Sequence, residues 1–165
     1  MRQRLGAPLT PAAALALLTP LAGALDHLHA QGMAHGDLKP GNVLVPRPGQ
    51  VLVIELGLAP LLARSNSIKM LDRGLHFGTL EYLAPEQRWG TPPTRQSDLY
   101  ALGVILYEAL AGRPPFRAEH AAEPPRLIMH RHVTMPPPPL ARFNPGVPPM
   151  VEAVVLRALA KQPAE

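Results

Sequence analysis

Proline placement constrains this chain more than any other feature. Of its 165 residues, 22 are proline and 13 are glycine. Proline lacks an N–H donor and clashes with the preceding helical turn, so long helices fit best between prolines. Eleven of the 22 prolines lie from Pro114 to Pro149. That stretch reads as a Pro-rich connector around one short helix near Leu127 to His132. Within it, Pro136 to Pro139 reads as a rigid linker ahead of a polyproline II ligand. Ser97 to Ala111 is the clearest helix. Leu99, Leu102, Ile105, Leu106, Ala109 and Leu110 share one side at helical spacing. Ser97 or Asp98 caps its start, and Gly112 with Pro114 and Pro115 stops it.

A second helix runs from Pro11 to about Ala30 and ends at Gln31 and Gly32. Leu18, Leu21, Ala22, Leu25 and Leu28 recur at helical spacing. Thr10 is its N-cap and Pro11 sits in the tolerated first turn. Pro20 should kink this helix or start a new segment. The same region mimics a signal peptide, with a basic Met1-Arg2-Gln3-Arg4, an apolar Ala12 to Leu18 and an Ala22-Gly23-Ala24 site. The amphipathic spacing favours the helix. Val43-Leu44-Val45 and Val51-Leu52-Val53-Ile54 flank a Pro- and Gly-containing turn and form a β-hairpin. From Leu58 to about Thr94 no period is sustained, so that stretch is mostly loop. A last helix uses Val151, Val154, Val155, Ala158 and Leu159. The fold class is mainly α, helical with one small hairpin, and no repeat is present.

The length suits one domain of about 100–200 residues. The absence of Cys excludes a disulfide scaffold, a cysteine-ligated zinc and a thiol nucleophile. A net charge of +4 is spread along the chain and forms no nucleic-acid stripe. The seven aromatics are too few for base stacking. No nucleic acid is therefore expected as a partner. No apolar run reaches the roughly 18 residues of a membrane span. Leu99 to Tyr107, the longest candidate, reads as a buried helix.

The chemistry concentrates in His35-Gly36-Asp37-Leu38-Lys39-Pro40-Gly41-Asn42, a polar loop between a helix and the hairpin. Phosphoryl transfer asks a protein to orient a hydroxyl, neutralise phosphate charge and hold Mg²⁺. An Asp such as Asp37 can accept the hydroxyl proton, a Lys such as Lys39 can meet the γ-phosphate, and an Asn carbonyl such as that of Asn42 can bind a hard cation.

This loop resembles the catalytic loop of eukaryotic-type protein kinases, H-R-D-x-x-x-x-N. Further matches occur in the family's order. Glu55-Leu56-Gly57 falls where D-F-G belongs, and Gly78-Thr79 precedes Ala84-Pro85-Glu86, the A-P-E motif. Ser97 to Gly103 resembles the start of the long buried helix of the C-terminal lobe. Arg113-Pro114-Pro115-Phe116 resembles the segment just after that helix in bacterial Ser/Thr kinases. The resemblance implies a protein-kinase-like C-terminal helical lobe over residues 1–165, with the hairpin at the catalytic cleft. It implies ATP and Mg²⁺ as cofactors, a protein substrate or partner, and a cytoplasmic location.

Roles carry over residue by residue. Asp37 matches the catalytic base. Lys39, in D-L-K-P form, matches the Ser/Thr-specific class, and Thr79 matches the Thr that braces base and lysine. Asn42 matches a magnesium ligand, with Glu55 the second. Leu44 matches a residue beneath the adenine, where Lys39 and Asn42 also serve the nucleotide. His35 and Leu56 match members of the buried spine, and Asp98 matches its anchor. Ser65 and Ser67 are ordinary loop serines ahead of phosphosites.

Three departures set expectations. No Gly-rich loop and no V-A-I-K strand precede the catalytic loop, so the chain looks truncated past the hinge and inactive alone. Glu55 replaces the D-F-G Asp and carries its carboxylate about 1.5 Å further out. Gly36 replaces the H-R-D Arg, which removes a contact to a phosphorylated loop and loosens the backbone. By the resemblance, the Arg that pairs with Glu86 in the family is expected just beyond Glu165. Gly36 and Glu55 favour the alternative of a pseudokinase acting as a protein-binding module.

The remaining candidates have structural readings. His27, His29, His120, His130 and His132 lack an Asp, Glu or Cys complement at ligand spacing and read as surface or half-buried. Trp89 reads as packing or substrate-side surface. Met129, Met135 and Met150 read as gap fillers.

Overall fold

A computed structural model describes residues 1, 7–55, 80–120 and 122–162. Four α-helices are present among the described residues: α1 (Pro11–Ala30), α2 (Arg95–Ala111), α3 (Pro125–Thr134) and α4 (Pro149–Ala158). Strands β1 (Val43–Leu44) and β2 (Leu52–Val53) pair antiparallel, with Val43 opposite Val53 and Leu44 opposite Leu52. The expected hairpin is there, shorter at both ends. Single 3₁₀ turns cover Pro40–Asn42, Pro85–Trp89 and Leu140–Arg142. The Pro85–Trp89 turn lies in the stretch read as mostly loop. Leu56, Thr79, Ser65 and Ser67 lie outside the described residues.

α2 is the central rod. Its Gly103, Val104, Ile105, Tyr107, Ala109 and Leu110 are all buried. α1 and α4 pack against it, and β2 packs against α1. A helix covered on nearly every side has no single apolar stripe. This corrects the one-sided pattern read from the leucines: Leu99 is 40% exposed, and Leu102 and Leu106 are only half-buried. These three face a cavity of about 560 Å³ between α2 and α4, which Glu86 and Arg157 also line. Glu86 is half-buried there.

The cap of α2 also differs from expectation. Thr94 is the N-cap, and its side chain accepts the Ser97 N–H, while the Ser97 hydroxyl accepts the Thr94 N–H. The reciprocal box satisfies two amides that the first turn leaves open. Asp98 is thereby released for another task. At the far end Gly112 takes φ 72°, a left-handed stop that glycine enters freely. A Cβ there would meet Pro8 Cδ at 2.8 Å.

α1 begins as expected, with Thr10 accepting the Ala13 N–H. It runs through Pro20 as one helix, so no new segment starts there. Leu17, Leu18, Leu21 and Leu25 are buried on both sides of the proline. Burying a Leu side chain stabilises by roughly 1.5–3 kcal/mol, so four of them outweigh one lost helical hydrogen bond. By length and composition α1 is apolar enough to cross a membrane, with a mean hydropathy of 1.3 over its best window. That qualifies the expectation of no candidate span. Its Ala14, Leu21 and Leu25 are nevertheless sealed in the core around α2.

In α4, Val155 is fully buried, but Val154 is 62% exposed, so only part of the expected apolar face is covered. Met129 fills the core, whereas Met135 and Met150 are exposed and fill nothing. Trp89 is 73% exposed and belongs to the surface. His132 corrects the surface reading of the histidines, since it is fully buried. Its Nδ1 lies 2.9 Å from the Tyr100 hydroxyl, and the Phe116 ring meets it edge-on at 4.9 Å. Burial, helped by nearby Lys161, pushes the His132 pKa down to about 3. Burial likewise lowers Lys161 to about 8, and its Nζ lies 4.6 Å from the Phe116 ring centre. Burial raises the Tyr100 hydroxyl well above the usual range, with Glu86 adding to the shift.

Candidate active site

Asp98 organises the loop that follows α1. It sits in the first turn of α2 and is 1% exposed. Its Oδ2 accepts the His35 N–H and its Oδ1 accepts the Gly36 N–H, each at 2.8 Å. His29 Nε2 lies 2.8 Å from the same Oδ2. A buried carboxylate is tolerable only when its lone pairs are filled in this way. Gly36 takes φ 76°, a conformation glycine reaches without a Cβ penalty. The loosening expected of glycine is thus opposed by two amides clamped on one carboxylate.

His35 carries the order onward. Its Nδ1 accepts the Asp37 N–H at 3.2 Å, and its Nε2 lies 3.2 Å from the Ile54 carbonyl. Those two contacts select the tautomer protonated on Nε2. They also tie the loop to the residue preceding Glu55. From the other side Gln87 Nε2 donates to the Gly36 carbonyl at 3.3 Å, while its Oε1 accepts the Ala84 N–H.

Three of the expected site residues come together. Lys39 Nζ donates to Asp37 Oδ2 at 2.6 Å. Pro40–Asn42 turns the chain back through one 3₁₀ turn, closed by Asn42 N–H to Lys39 O at 2.9 Å. That turn brings Asn42 Nδ2 to the Asp37 carbonyl at 2.9 Å and to Asp37 Oδ2 at 3.2 Å. Asp37 and Lys39 remain partly open, while Asn42 is buried. The Asn42 carbonyl then feeds β2, accepting the Ile54 N–H at 2.9 Å.

Glu55 follows Ile54 directly, is exposed, and takes φ 62°. It is the only non-glycine residue with positive φ among the described residues, and such a conformation costs about 1–3 kcal/mol. Leu44 is on β1 and 46% exposed. Thr79 lies outside the described residues. His29 was missed by sequence reasoning: its side chain is 3% exposed and paired with Asp98. Gln87 was missed too. Their partners lie 69 and 51 residues away in sequence, so no local pattern marks them.

The comparisons with known proteins bear on this arrangement. A family model described as "Protein kinase domain" matches residues 3–158. The chain belongs to the protein kinase family. It is 37% identical over 158 residues to serine/threonine-protein kinase PknH of Mycobacterium tuberculosis (strain ATCC 25618 / H37Rv), covering 96% of this chain and 24% of that protein. It is 38% identical over 156 residues to serine/threonine-protein kinase PrkC of Bacillus subtilis (strain 168), covering 94% and 23%. A probable serine/threonine-protein kinase PknB of Lactococcus lactis subsp. lactis (strain IL1403) is 39% identical over 155 residues, covering 94% and 24%. The chain thus spans about a quarter of the length of these kinases. The mainly helical fold with one two-stranded sheet agrees with a kinase C-terminal lobe.

Proposed function

We propose that residues 1–165 form the C-terminal lobe of a Ser/Thr protein kinase domain. The reaction is transfer of the ATP γ-phosphoryl group to a protein Ser or Thr hydroxyl. The observation that carries this reading is the Asp37, Lys39 and Asn42 cluster. Asp37 Oδ2 takes both side-chain contacts, which leaves Oδ1 for the substrate hydroxyl. As that oxygen bonds to phosphorus, its proton passes to Asp37 and the bond to ADP breaks. Lys39 swings from Asp37 to the γ-phosphate and neutralises its charge.

The residues fit a hard cation. Asn42 spends its Nδ2 on Asp37, which leaves its Oδ1 as the ligand atom, and its main-chain carbonyl holds Ile54, the neighbour of Glu55. An amide oxygen and a carboxylate suit Mg²⁺, which keeps several waters and takes phosphate oxygens as ligands. Asn42 Oδ1 and the Glu55 carboxylate would hold the ion, which would supply positive charge against the charge that develops on transfer. Leu44 offers an exposed apolar side chain for the adenine. A cytoplasmic location and a protein substrate accompany this reading.

The sequence holds no Gly-rich loop and no V-A-I-K lysine, so these residues alone are expected to phosphorylate nothing measurable. A second reading, a protein-binding pseudokinase, is favoured by Gly36 and by the longer reach of Glu55. Melting with Mg-ATP separates the two. A rise of several degrees that Asn42→Ala abolishes supports the nucleotide site. No rise at millimolar Mg-ATP, with the fold intact, removes it and leaves the binding module. Robust phosphorylation by the purified chain, lost in Asp37→Asn, overturns the expectation of inactivity.

A further inference from the structure

We propose that the segment from Met135 to Arg142 is a docking ligand for a partner domain whose aromatic-lined groove accepts polyproline II segments. This goes beyond phosphoryl transfer and does not depend on it.

The segment has the right backbone. Met135 takes φ −102° and ψ 138°, and Pro139 takes φ −56° and ψ 134°. Met135 is extended and Pro139 is close to polyproline II values, and the four prolines between Met135 and Leu140 each lock φ. The exposure has the right period. Pro136 and Pro139 are exposed, whereas Pro137 and Pro138 are half-buried. Polyproline II has three residues per turn, so residues three apart share a side. The outward edge therefore reads Pro-x-x-Pro, the spacing such grooves recognise. Met135, 47% exposed, lies on the next side, in line with Pro138.

The inward edge explains the rigidity. The Tyr107 hydroxyl donates to the Pro138 carbonyl at 2.9 Å, and the Leu140 N–H donates to Glu152 Oε1 at 2.7 Å. Leu140 itself is 1% exposed. The strand is thus pinned from α2 and from α4 before any partner arrives. Little ordering entropy remains to oppose binding. Beside that pinned inner edge, Pro136 and Pro139 stay exposed.

Charge selects among partners. Arg142, exposed, follows Pro139 by three residues in the 3₁₀ turn Leu140–Arg142. Its guanidinium carbon lies 5.7 Å from the Phe143 ring centre. The partner groove is therefore flanked by acidic side chains, as well as lined by Tyr or Trp.

The test titrates purified SH3 domains, and separately purified WW domains, into the ¹⁵N-labelled full chain without nucleotide. At least one domain should bind with a Kd of roughly 10–100 µM, a weak-to-moderate affinity. The amide shifts should be confined to residues 134–143. Pro136→Ala combined with Pro139→Ala should weaken binding at least about tenfold. Arg142→Glu should weaken it severalfold, and Pro145→Ala should leave it unchanged. The proposal is overturned if no domain perturbs the folded chain at roughly 1 mM. It is equally overturned if the perturbations survive these substitutions. Should the double variant unfold, Arg142→Glu decides alone: undiminished binding sinks the proposal.

Discussion

His29 Nε2 lies 2.8 Å from Asp98 Oδ2, which joins the last turn of α1 to the first turn of α2 inside the protein. The same carboxylate holds the two amides that lead into Asp37. One side chain therefore couples the packing of the two longest helices to the geometry of the candidate site.

Asp98→Asn should test that coupling. An amide has one acceptor oxygen, so its NH₂ must face one of the donors that Asp98 now satisfies. Unfilled buried donors cost about 1–3 kcal/mol each. Urea unfolding should show a loss of about 2–3 kcal/mol, and the His35 and Gly36 amides should exchange faster with solvent. Unchanged stability would mean that the carboxylate is not what orders the loop.

Gly103→Ala sets two effects against each other. In an open helix interior Ala is better than Gly by about 0.5–1 kcal/mol. Here the added Cβ would sit 2.7 Å from Ala158 Cβ and 3.3 Å from its carbonyl carbon. Overpacking of that kind costs about 1–3 kcal/mol, so net destabilisation is expected by urea titration. Combining it with Ala158→Gly should recover part of the loss, a coupling that a double-mutant cycle reads directly.

Acid should weaken the fold through His132. The unfolded chain takes up this proton near its ordinary value of 6.5, whereas the folded chain does so only near 3. Between those values the unfolded state binds more protons, so stability falls as pH drops through the window. At pH 5 the loss from this group is about 2 kcal/mol. Melting at pH 7.5 and pH 5 checks it, and His132→Gln should flatten the slope. Lys161 acts in the alkaline range with the same sign. Its folded pKa is lowered to about 8 from 10.5, so stability should rise between those values, and Lys161→Met should raise the melting temperature at pH 7.

Glu55→Gly should stabilise the chain. Glu55 holds φ 62°, where a Cβ is penalised and glycine is not. Urea unfolding should report a gain of about 1 kcal/mol, and Glu55→Val should report a loss. A loss on Glu55→Gly would show that the side chain contributes more than the strain removes.

Legibility followed the range of the interactions. The Thr10 cap, the first-turn Pro11 and the Gly112 stop were all readable, because each acts within one turn of its own chain. The cap of α2 is placed at Ser97 or Asp98 by sequence, because Ser, Thr and Asp are all good caps and only the reciprocal hydrogen bonds choose Thr94. That no new segment starts at Pro20 was not readable, since its local cost is visible in sequence and the leucines that offset it find their partners far along the chain. The Asp37, Lys39 and Asn42 cluster was legible because one short loop and one 3₁₀ turn contain it.

The amino-acid order by itself determined the kind and succession of elements, the loop that carries the polar cluster, and the kinase resemblance. Caps, prolines and apolar spacing act over a few residues, so they can be read without a fold. Only the tertiary structure decided that the two oxygens of Asp98 hold the His35 and Gly36 amides from more than 60 residues away, that the His29 side chain pairs with it, that His132 is interior, and that Pro136 and Pro139 face outward. Those outcomes depend on which surfaces lose water together. That is settled when distant segments pack, not by the neighbours of a residue along the chain.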